Sequence, residues 1–585
     1  MLCAAIKGSF FLINCTFGRR EYTLMSTNVS KQKREELLAK IKAIRTYIAT
    51  APQDENTANL LAYLSELEKD VGAKKYGLVF EEHREEIDEV LSTHTPVLTE
   101  DGSLFIDNGG QMNFLIEGDN LASLQLLEKT HKGKIDLIYI DPPYNTGHND
   151  FAYDDNFVGS NDAFLHSKWL SFMRNRLEIA KGILSPFGCI FISINDIEQS
   201  QLKLLCDEIF GEGNFIATLP KKGSGGRQDS KHFAVVHEYV ICYARNANYF
   251  IAGREEKEIG EYPLYDEVIG RKYKMQLLRK WGDSSRRVDR PNLYYPLYYC
   301  EKTGEISTEP LTDGITIYPM LSKTEEGRWR WGKSTMQENI EQGIVVFQKK
   351  SGEYVGYEKI FEPTEVATKP YTTWLDDIDN NSGAPLLKTI LGKTAFDYPK
   401  PMDLIEKLLR RGTDRKDVTI LDFFAGSGTT GHAVMKLNAE DSGSRRFILC
   451  TNNENNICRE VTYERIKRVI DKEGYAASLK YFKVDYIPVS ERMYYEYADE
   501  LLAHIRELVE LENGINFTGN AEVGIVLTED ELAEFIQNDE AFAKCRKLYM
   551  GHDLLPDEEQ EKILRSRGVE ISIIPDYYYR DLQEG

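Results

Sequence analysis

The apolar run Ile135, Asp136, Leu137, Ile138, Tyr139, Ile140 passes directly into Asp141, Pro142, Pro143 and Tyr144. Two consecutive prolines cannot donate to a ladder, so a buried strand must end abruptly there. In an open α/β sheet, ligands sit just beyond the carboxyl ends of the strands. An acid, a rigid turn and an aromatic ring are therefore presented together where chemistry is expected. The prolines carry no N–H, which leaves the carbonyls around them to accept from a ligand. An acceptor-rich corner beside a flat ring suits a planar group bearing an amino function, such as a nucleobase. A plain strand-terminating turn has the same local signature, and a second motif is needed to separate the two.

That second motif lies about 280 residues downstream. Residues 418–424, ending in Asp422, Phe423 and Phe424, read as another buried strand. Ala425, Gly426, Ser427, Gly428, Thr429, Thr430 and Gly431 follow, and then a helix expected to begin near His432. A strand, a glycine-rich turn and a helix form half of a nucleotide-binding unit. Glycine lets the backbone approach the ligand, and the helix start offers free N–H groups. A phosphate loop is excluded because His432 stands where its lysine should follow Gly431. The GxGxxG spacing of a dinucleotide site is present, but the Asp-Phe-Phe-Ala strand end fits that reading poorly. Residues 446–451 form a third strand ending in Asn452, Asn453 and Glu454, and a carboxylate at that tip is where a ribose diol would be held.

Together these motifs resemble the amino-methyltransferases of DNA, which use S-adenosylmethionine. Asp141, Pro142, Pro143 and Tyr144 look like their catalytic motif, and Phe424, Ala425, Gly426, Ser427 and Gly428 like their cofactor loop. Gly118, Asp119 and Asn120 match the acidic contact to the cofactor adenine. Phe396, Asp397, Tyr398, Pro399, Lys400 and Pro401 resemble the segment over its methionine end. The order, with the catalytic motif first, a long insert and then the cofactor motif, is the permuted order of the β group. Asp-Pro-Pro-Tyr-Asn-Thr-Gly at 141–147, continuing into Phe-Ala-Tyr-Asp-Asp-Asn-Phe at 151–157, is similar to modification subunits of type III restriction–modification systems. Residues 290–296 and 327–332 support that likeness, which covers roughly residues 30–480.

A chain of 585 residues exceeds one core and is expected to divide into three or four domains. The expected fold is α/β, a Rossmann-like methyltransferase sheet in permuted order. The expected segments are a disordered leader (1–24), an N-terminal helical region (25–100) and the first, catalytic half of the sheet (101–220). A target-recognition insert (221–395), the cofactor half (396–490) and an acidic C-terminal domain (491–585) complete the chain. Leu37, Ile41, Ile44 and Ile48, then Leu60, Leu64 and Leu67, recur at helical spacing and predict a hairpin whose stripe packs within the chain. No apolar run reaches the ~18 residues that span a bilayer. Nine cysteines without CxxC spacing argue for a reducing, cytoplasmic setting, and ten histidines without HExxH argue against a metal site.

The formal charge of −22 looks wrong for a protein that meets DNA. Residues 491–585 hold 23 acids and 9 bases, a net of −14, whereas residues 271–290 hold 8 bases and 2 acids, a net of +6. Only the surface that meets phosphate matters. Lys221, Lys222, Arg227, Lys231, Arg271, Lys272, Arg279, Arg286 and Arg287 are the expected contacts; Trp329 and Trp331 could stack on bases but are more often packing at that spacing.

The resemblance implies methylation of adenine N6 in duplex DNA after base flipping. Asp141 and the Pro142 carbonyl would take the amino hydrogens, and Tyr144 would stack on the ring. Asp119, Asn120, Pro399, Lys400, Asp422, Phe424, Ala425, Gly426, Gly428 and Glu454 would hold the cofactor. A homodimer and a helicase–nuclease restriction subunit are the implied partners. Cytosine-N4 methylation, an orphan adenine enzyme and a non-enzymatic specificity subunit remain open alternatives.

Overall fold

A computed structural model describes residues 29–49, 55–72, 80–147, 152–153, 156–157, 162, 164–223, 232–257, 260–365, 367–489, 501–538, 543–566 and 568–575. Residues 1–24, Arg227 and Lys231 lie outside that set. The chain divides into two units, residues 1–79 and 80–585.

The first unit is a hairpin of α1 (Val29–Ala49) and α2 (Glu55–Gly72). Arg45 reaches Glu68 at 2.9 Å across it. Ile41 and Leu64 are buried, but Leu37, Ile44, Leu60 and Leu67 stay about half exposed. The hairpin thus covers only part of the apolar stripe that its sequence offers.

The second unit is built on a nine-stranded sheet. In chain order its strands are β1 (His94–Glu100), β2 (Gln111–Glu117), β3 (Ile135–Ile140), β4 (Leu184–Ile194), β5 (Phe215–Lys222), β6 (His237–Ala244), β7 (Thr419–Asp422), β8 (Arg446–Thr451) and β9 (Ala477–Pro488). Across the sheet they lie β1-β9-β2-β8-β7-β3-β4-β6-β5. The strands from β9 to β4 run parallel, and β1, β6 and β5 extend the edges antiparallel. Leu137, Ile138, Ile420, Leu421, Phe447 and Leu449 are all buried, as strands covered on both faces require. Helices α3 (Asn120–His131), α4 (Leu165–Ile183), α5 (Gln199–Phe210), α6 (Met402–Gly412), α7 (Thr429–Asp441) and α8 (Glu464–Glu473) connect and flank these strands. This is the α/β, Rossmann-like sheet expected from the sequence.

Strand β6 lies inside the range read as the insert, yet it pairs with β4 and β5. The helix Gly383–Leu391 likewise places Leu387, Ile390 and Leu391 in the main core. Glycine, aromatic and basic content does not distinguish an added edge strand from a separate domain, so the compositional boundary runs across the sheet. Between them, Leu264–Asp266, Arg271–Leu277, Glu353–Phe361 and Val345–Lys350 form a four-stranded antiparallel sheet. Its neighbouring core is Leu278, Tyr295, Leu297, Trp329, Met336 and Val345. Near the C-terminus, Val523–Val526, Lys547–Met550 and Glu570–Ile573 make a small parallel sheet. Lys480 on β9 is buried between Glu100, at 3.1 Å, and Glu510 of the helix Ile505–Asn513, which ties that region to the main sheet. No described helix is long and apolar enough to cross a membrane.

Candidate active site

Strands β3 and β7 are parallel neighbours, with Leu137 opposite Ile420 and Ile138 opposite Leu421. From β3 the chain continues to β4 on one side, and from β7 to β8 on the other. That reversal is a topological switch point, where a crevice opens at the strand ends. Asp141 and Asp422, far apart in the chain, therefore stand at adjacent carboxyl ends. A cleft of about 350 Å³ opens there, lined by Tyr139, Asp141, Phe396, Lys400, Phe424 and Gly426 among others. Both sequence motifs contribute to this one cavity.

The catalytic turn is held from behind. The Trp169 indole on α4 donates to the Pro143 carbonyl at 2.8 Å, so this carbonyl already serves to fix the turn. Asn145 adopts φ of 59°, a left-handed conformation that asparagine tolerates. Its amide donates to the Leu165 carbonyl at 3.1 Å and to Glu198 at 2.5 Å. His166 approaches the same Glu198 oxygen at 2.7 Å. Burial raises the Glu198 pKa, and the contacts from Asn145 and His166 oppose that rise. Asn145 lies within the motif at 141–147, but Trp169 and Glu198 carry no recognisable motif and were not singled out in the sequence.

Lys400 joins the two motifs. Its ammonium is 3.1 Å from Asp141 Oδ1 and 2.5 Å from the Tyr144 hydroxyl. It also stands over the Tyr144 ring, 4.6 Å from the centroid. Glu238 Oε2 is 3.8 Å away and pairs in turn with Lys221 at 3.0 Å. Burial works to lower the Lys400 pKa, but Asp141 and Glu238 outweigh it and hold the ammonium above its ordinary value. Burial, with Asp141 and Glu238 nearby, pushes the Tyr144 phenol well up. Tyr144 is thus a neutral ring and donor throughout the ordinary pH range.

The opposite wall is the glycine loop. Gly426 and Gly428 have φ of +47° and +73°, a region costly for other residues. A Cβ on Gly426 would lie 3.3 Å from the Phe396 ring, and one on Gly428 would lie 3.2 Å from Thr462 Cγ2. Thr462 donates to the Gly426 carbonyl at 2.5 Å, and buried Arg465 donates to Thr429 Oγ1 at 2.7 Å. The helix begins at Thr429, three residues before the position expected, because left-handed Gly428 caps it directly. Asp422 accepts from the Phe424 N–H at 3.0 Å and from Thr430 Oγ1 at 2.5 Å. Burial lifts its pKa to about 7.

The cleft fits S-adenosylmethionine on its own features. Phe396, Phe424 and Ile457 offer apolar faces, Gly426 lets the backbone approach in a left-handed conformation, and Asp422 supplies a carboxylate for a cationic ligand. Asp422, Phe424, Ala425, Gly426 and Lys400 line it. Asp119, Asn120, Pro399, Gly428 and Glu454 are not among the lining residues. Asp119 caps α3 by accepting from the Leu121 and Ala122 N–H groups at 2.7 and 3.3 Å. Asn120 accepts from buried Arg176 at 2.5 Å. At the tip of β8, Thr451 and Asn452 line the cleft where Glu454 was expected.

The basic residues expected at DNA are less uniform than their sequence suggests. Lys221 is 4% exposed and paired with Glu238, so it belongs to the catalytic charge row and not to a phosphate-facing surface. Its register opposite Glu238 in adjacent strands is the reason. Arg271 donates to the Glu362 carbonyl at 2.6 Å. Arg286 and Arg287 pair with Glu325 and Glu326 at 2.9 and 2.8 Å. Lys222 and Lys272 are exposed, and Arg279 stacks over Trp281. Trp329 is buried, its indole donating to the Tyr295 carbonyl at 2.8 Å, and is packing. Trp331, however, lines an open pocket of about 460 Å³ with Lys280, Arg290, Arg328, Arg330 and Glu358.

Residues 135–463 match the family described as DNA methylase. The chain is 40% identical over 342 residues to the type II methyltransferase M.KpnI of Klebsiella pneumoniae, covering 57% of this chain and 79% of that protein. It is 35% identical over 381 residues to the EcoPI Mod subunit, a type III restriction–modification enzyme of Escherichia phage P1, covering 60% of this chain. The match spans only 58% of that subunit's length. Among solved structures, the cytosine-N4-specific PvuII DNA methyltransferase aligns with a TM-score of 0.33 at 12% identity, over 70% of this chain and 96% of that one. With the catalytic and cofactor motifs facing one cleft, and the family match spanning both, this chain belongs to the DNA methylase family.

Proposed function

We propose that this enzyme methylates N6 of adenine at a specific site in duplex DNA, as the modification subunit of a type III restriction–modification pair. One observation carries the chemistry: Asp141 at the end of β3 shares a cleft with the glycine loop after β7, and Lys400 of that cleft donates to the Tyr144 hydroxyl. The adenine assignment and the restriction pairing rest on the likeness to the Mod subunits. When bound, S-adenosylmethionine supplies a methyl group on a positively charged sulfur; Asp422, Phe424, Ala425 and Gly426 would hold it.

The exocyclic nitrogen of adenine is a poor nucleophile because its lone pair is delocalised into the ring. Asp141 and the Pro142 carbonyl would accept its two hydrogens and localise that pair as positive charge develops. Tyr144 would stack on a base turned out of the helix. Orientation supplies much of the acceleration, and Asp141 or solvent takes the proton afterward. Trp169 and Asn145 keep the turn rigid during these events. The insert, with Arg290, Arg328 and Arg330, would meet the duplex. The acidic C-terminal region repels phosphate and suits a protein contact, here the restriction subunit.

The test is mass-spectrometric analysis of modified nucleosides in DNA treated with the wild type and with Asp141→Ala. The wild type is expected to yield N6-methyladenine; N4-methylcytosine would overturn the base assignment. Asp141→Ala is expected to abolish transfer while cofactor affinity stays within roughly tenfold, about 1.4 kcal/mol. Full activity in that variant would remove Asp141 from the chemistry.

A further inference from the structure

Lys400 stands where an incoming base has to go. In the proposed chemistry Asp141 is the charged acceptor for the amino nitrogen, beside the Pro142 carbonyl, and Tyr144 is the stacking face for the ring. Lys400 already occupies both, with its ammonium 3.1 Å from Asp141 Oδ1 and 4.6 Å above the Tyr144 ring centroid. An ammonium has three N–H donors and no acceptor, so it satisfies a carboxylate much as an exocyclic amino group does. A cation is also attracted to the face of a tyrosine. Base and ammonium therefore compete for the same two groups.

A buried ammonium does not leave a carboxylate unless another is close, because an unpaired buried charge is costly. Glu238 is that second carboxylate. Its Oε2 lies 3.8 Å from Lys400 Nζ, a distance one side-chain rotation can close. Lys221, its cross-strand neighbour, holds it at 3.0 Å. Lys221, Glu238, Lys400 and Asp141 thus form a row of alternating charge that starts on the β5–β6 edge and ends at the reacting position. Nothing in the chemistry described above requires Glu238 or Lys221, yet Lys221 is buried and Glu238 half-buried beside it.

We propose that Lys400 is a placeholder in the base pocket: it rests on Asp141 and the Tyr144 face while the pocket is empty, and moves to Glu238 when the target base enters. This rests on the methyltransferase reading of the site. Glu238 and Lys221 are then positioning residues that act through Lys400. Glu238 draws the ammonium away from Asp141, and Lys221 tempers that pull. After the exchange Lys400 is paired with Glu238, and Asp141 accepts an amino hydrogen of the base in place of the ammonium.

The experiment uses the full chain and a duplex carrying its own recognition site, located by sequencing that detects modified bases, with 2-aminopurine at the target position. Its fluorescence rises when the base leaves the stack. Glu238→Gln preserves shape and removes the charge, so Lys400 should stay on Asp141. The fluorescence rise is expected to fall at least about fivefold and turnover, measured on the same duplex with adenine at the target, about tenfold, with KM for S-adenosylmethionine within about twofold. In a Lys400→Met background, adding Glu238→Gln should change the fluorescence rise by less than about twofold, because there is no ammonium left to move. Lys221→Gln, which frees Glu238 to pull harder, should give a rise at or above the wild-type level. An equal loss from Glu238→Gln in both backgrounds would overturn the placeholder, as would no loss in either. If Glu238→Gln does not fold, a Lys221→Gln rise below wild type overturns it instead. A wild type that methylates no DNA would fail the functional reading itself and take the placeholder with it.

Discussion

Asp422 shows how one buried side chain can couple pH, folding and ligand binding. Its carboxyl, ordinarily near 3.8, is lifted to about 7 by burial at the end of β7. Between those values the folded chain keeps a proton that the unfolded chain has released. Stability from this group is therefore fully present at low pH, declines as pH rises above about 4 and is gone above about 7. The size is on the order of 4 kcal/mol, taking about 1.4 kcal/mol for each pH unit. Urea unfolding across this range should show the decline, and Asp422→Asn should flatten it; an unchanged slope would sink the assignment. A cationic ligand beside the carboxylate favours its ionised form. Calorimetric affinity for S-adenosylmethionine should therefore rise through the same window, opposite in sign to the stability.

At the scale of elements, the insert's role depends on which cations are free to meet phosphate. Arg286 and Arg287 are engaged by Glu325 and Glu326, and Arg328 and Arg330 donate to the Ser284 and Leu277 carbonyls at the wall of an open pocket that Lys280 and Arg290 also line beside Trp331. Four cations against Glu358 leave that pocket net positive. Arg290→Ala should weaken duplex binding on all sequences alike and reduce the slope of log affinity against log salt by about 1. Fluorescence anisotropy at several salt concentrations measures both. A loss confined to the cognate site, with the slope unchanged, would move Arg290 from phosphate to base recognition.

For the whole molecule, the two units pose a question of assembly. In the hairpin α1–α2, Ile41 and Leu64 are buried while Leu37, Ile44, Leu60 and Leu67 stay about half exposed. The homodimer expected from the sequence predicts that light scattering on the purified protein returns twice the mass of one chain. A monomer at micromolar concentration would rule the dimer out. The uneven charge belongs to this scale too. A net of −14 over residues 491–585 disfavours contact with a phosphate backbone, whereas residues 271–290 carry a net of +6.

Much of this was legible in the chain itself. Residues 135–140 and 446–451 are strands over the ranges their apolar runs predict, because a strand buried on both faces has little alternative to continuous apolar sequence. The prolines after β3 and the glycines after β7 mark their turns through backbone sterics that act locally. What acts at a distance was not legible. That β3 and β7 are neighbours, so that Asp141 and Asp422 share a cleft, is decided by strand order. That Lys221 faces Glu238 rather than phosphate is decided by register between β5 and β6. Trp169 and Lys400 acquire their roles only because a helix and a loop from other parts of the chain close over the catalytic turn. Local sterics and hydrophobic pattern are written residue by residue, but the pairing of charges across hundreds of residues exists only once the sheet has assembled.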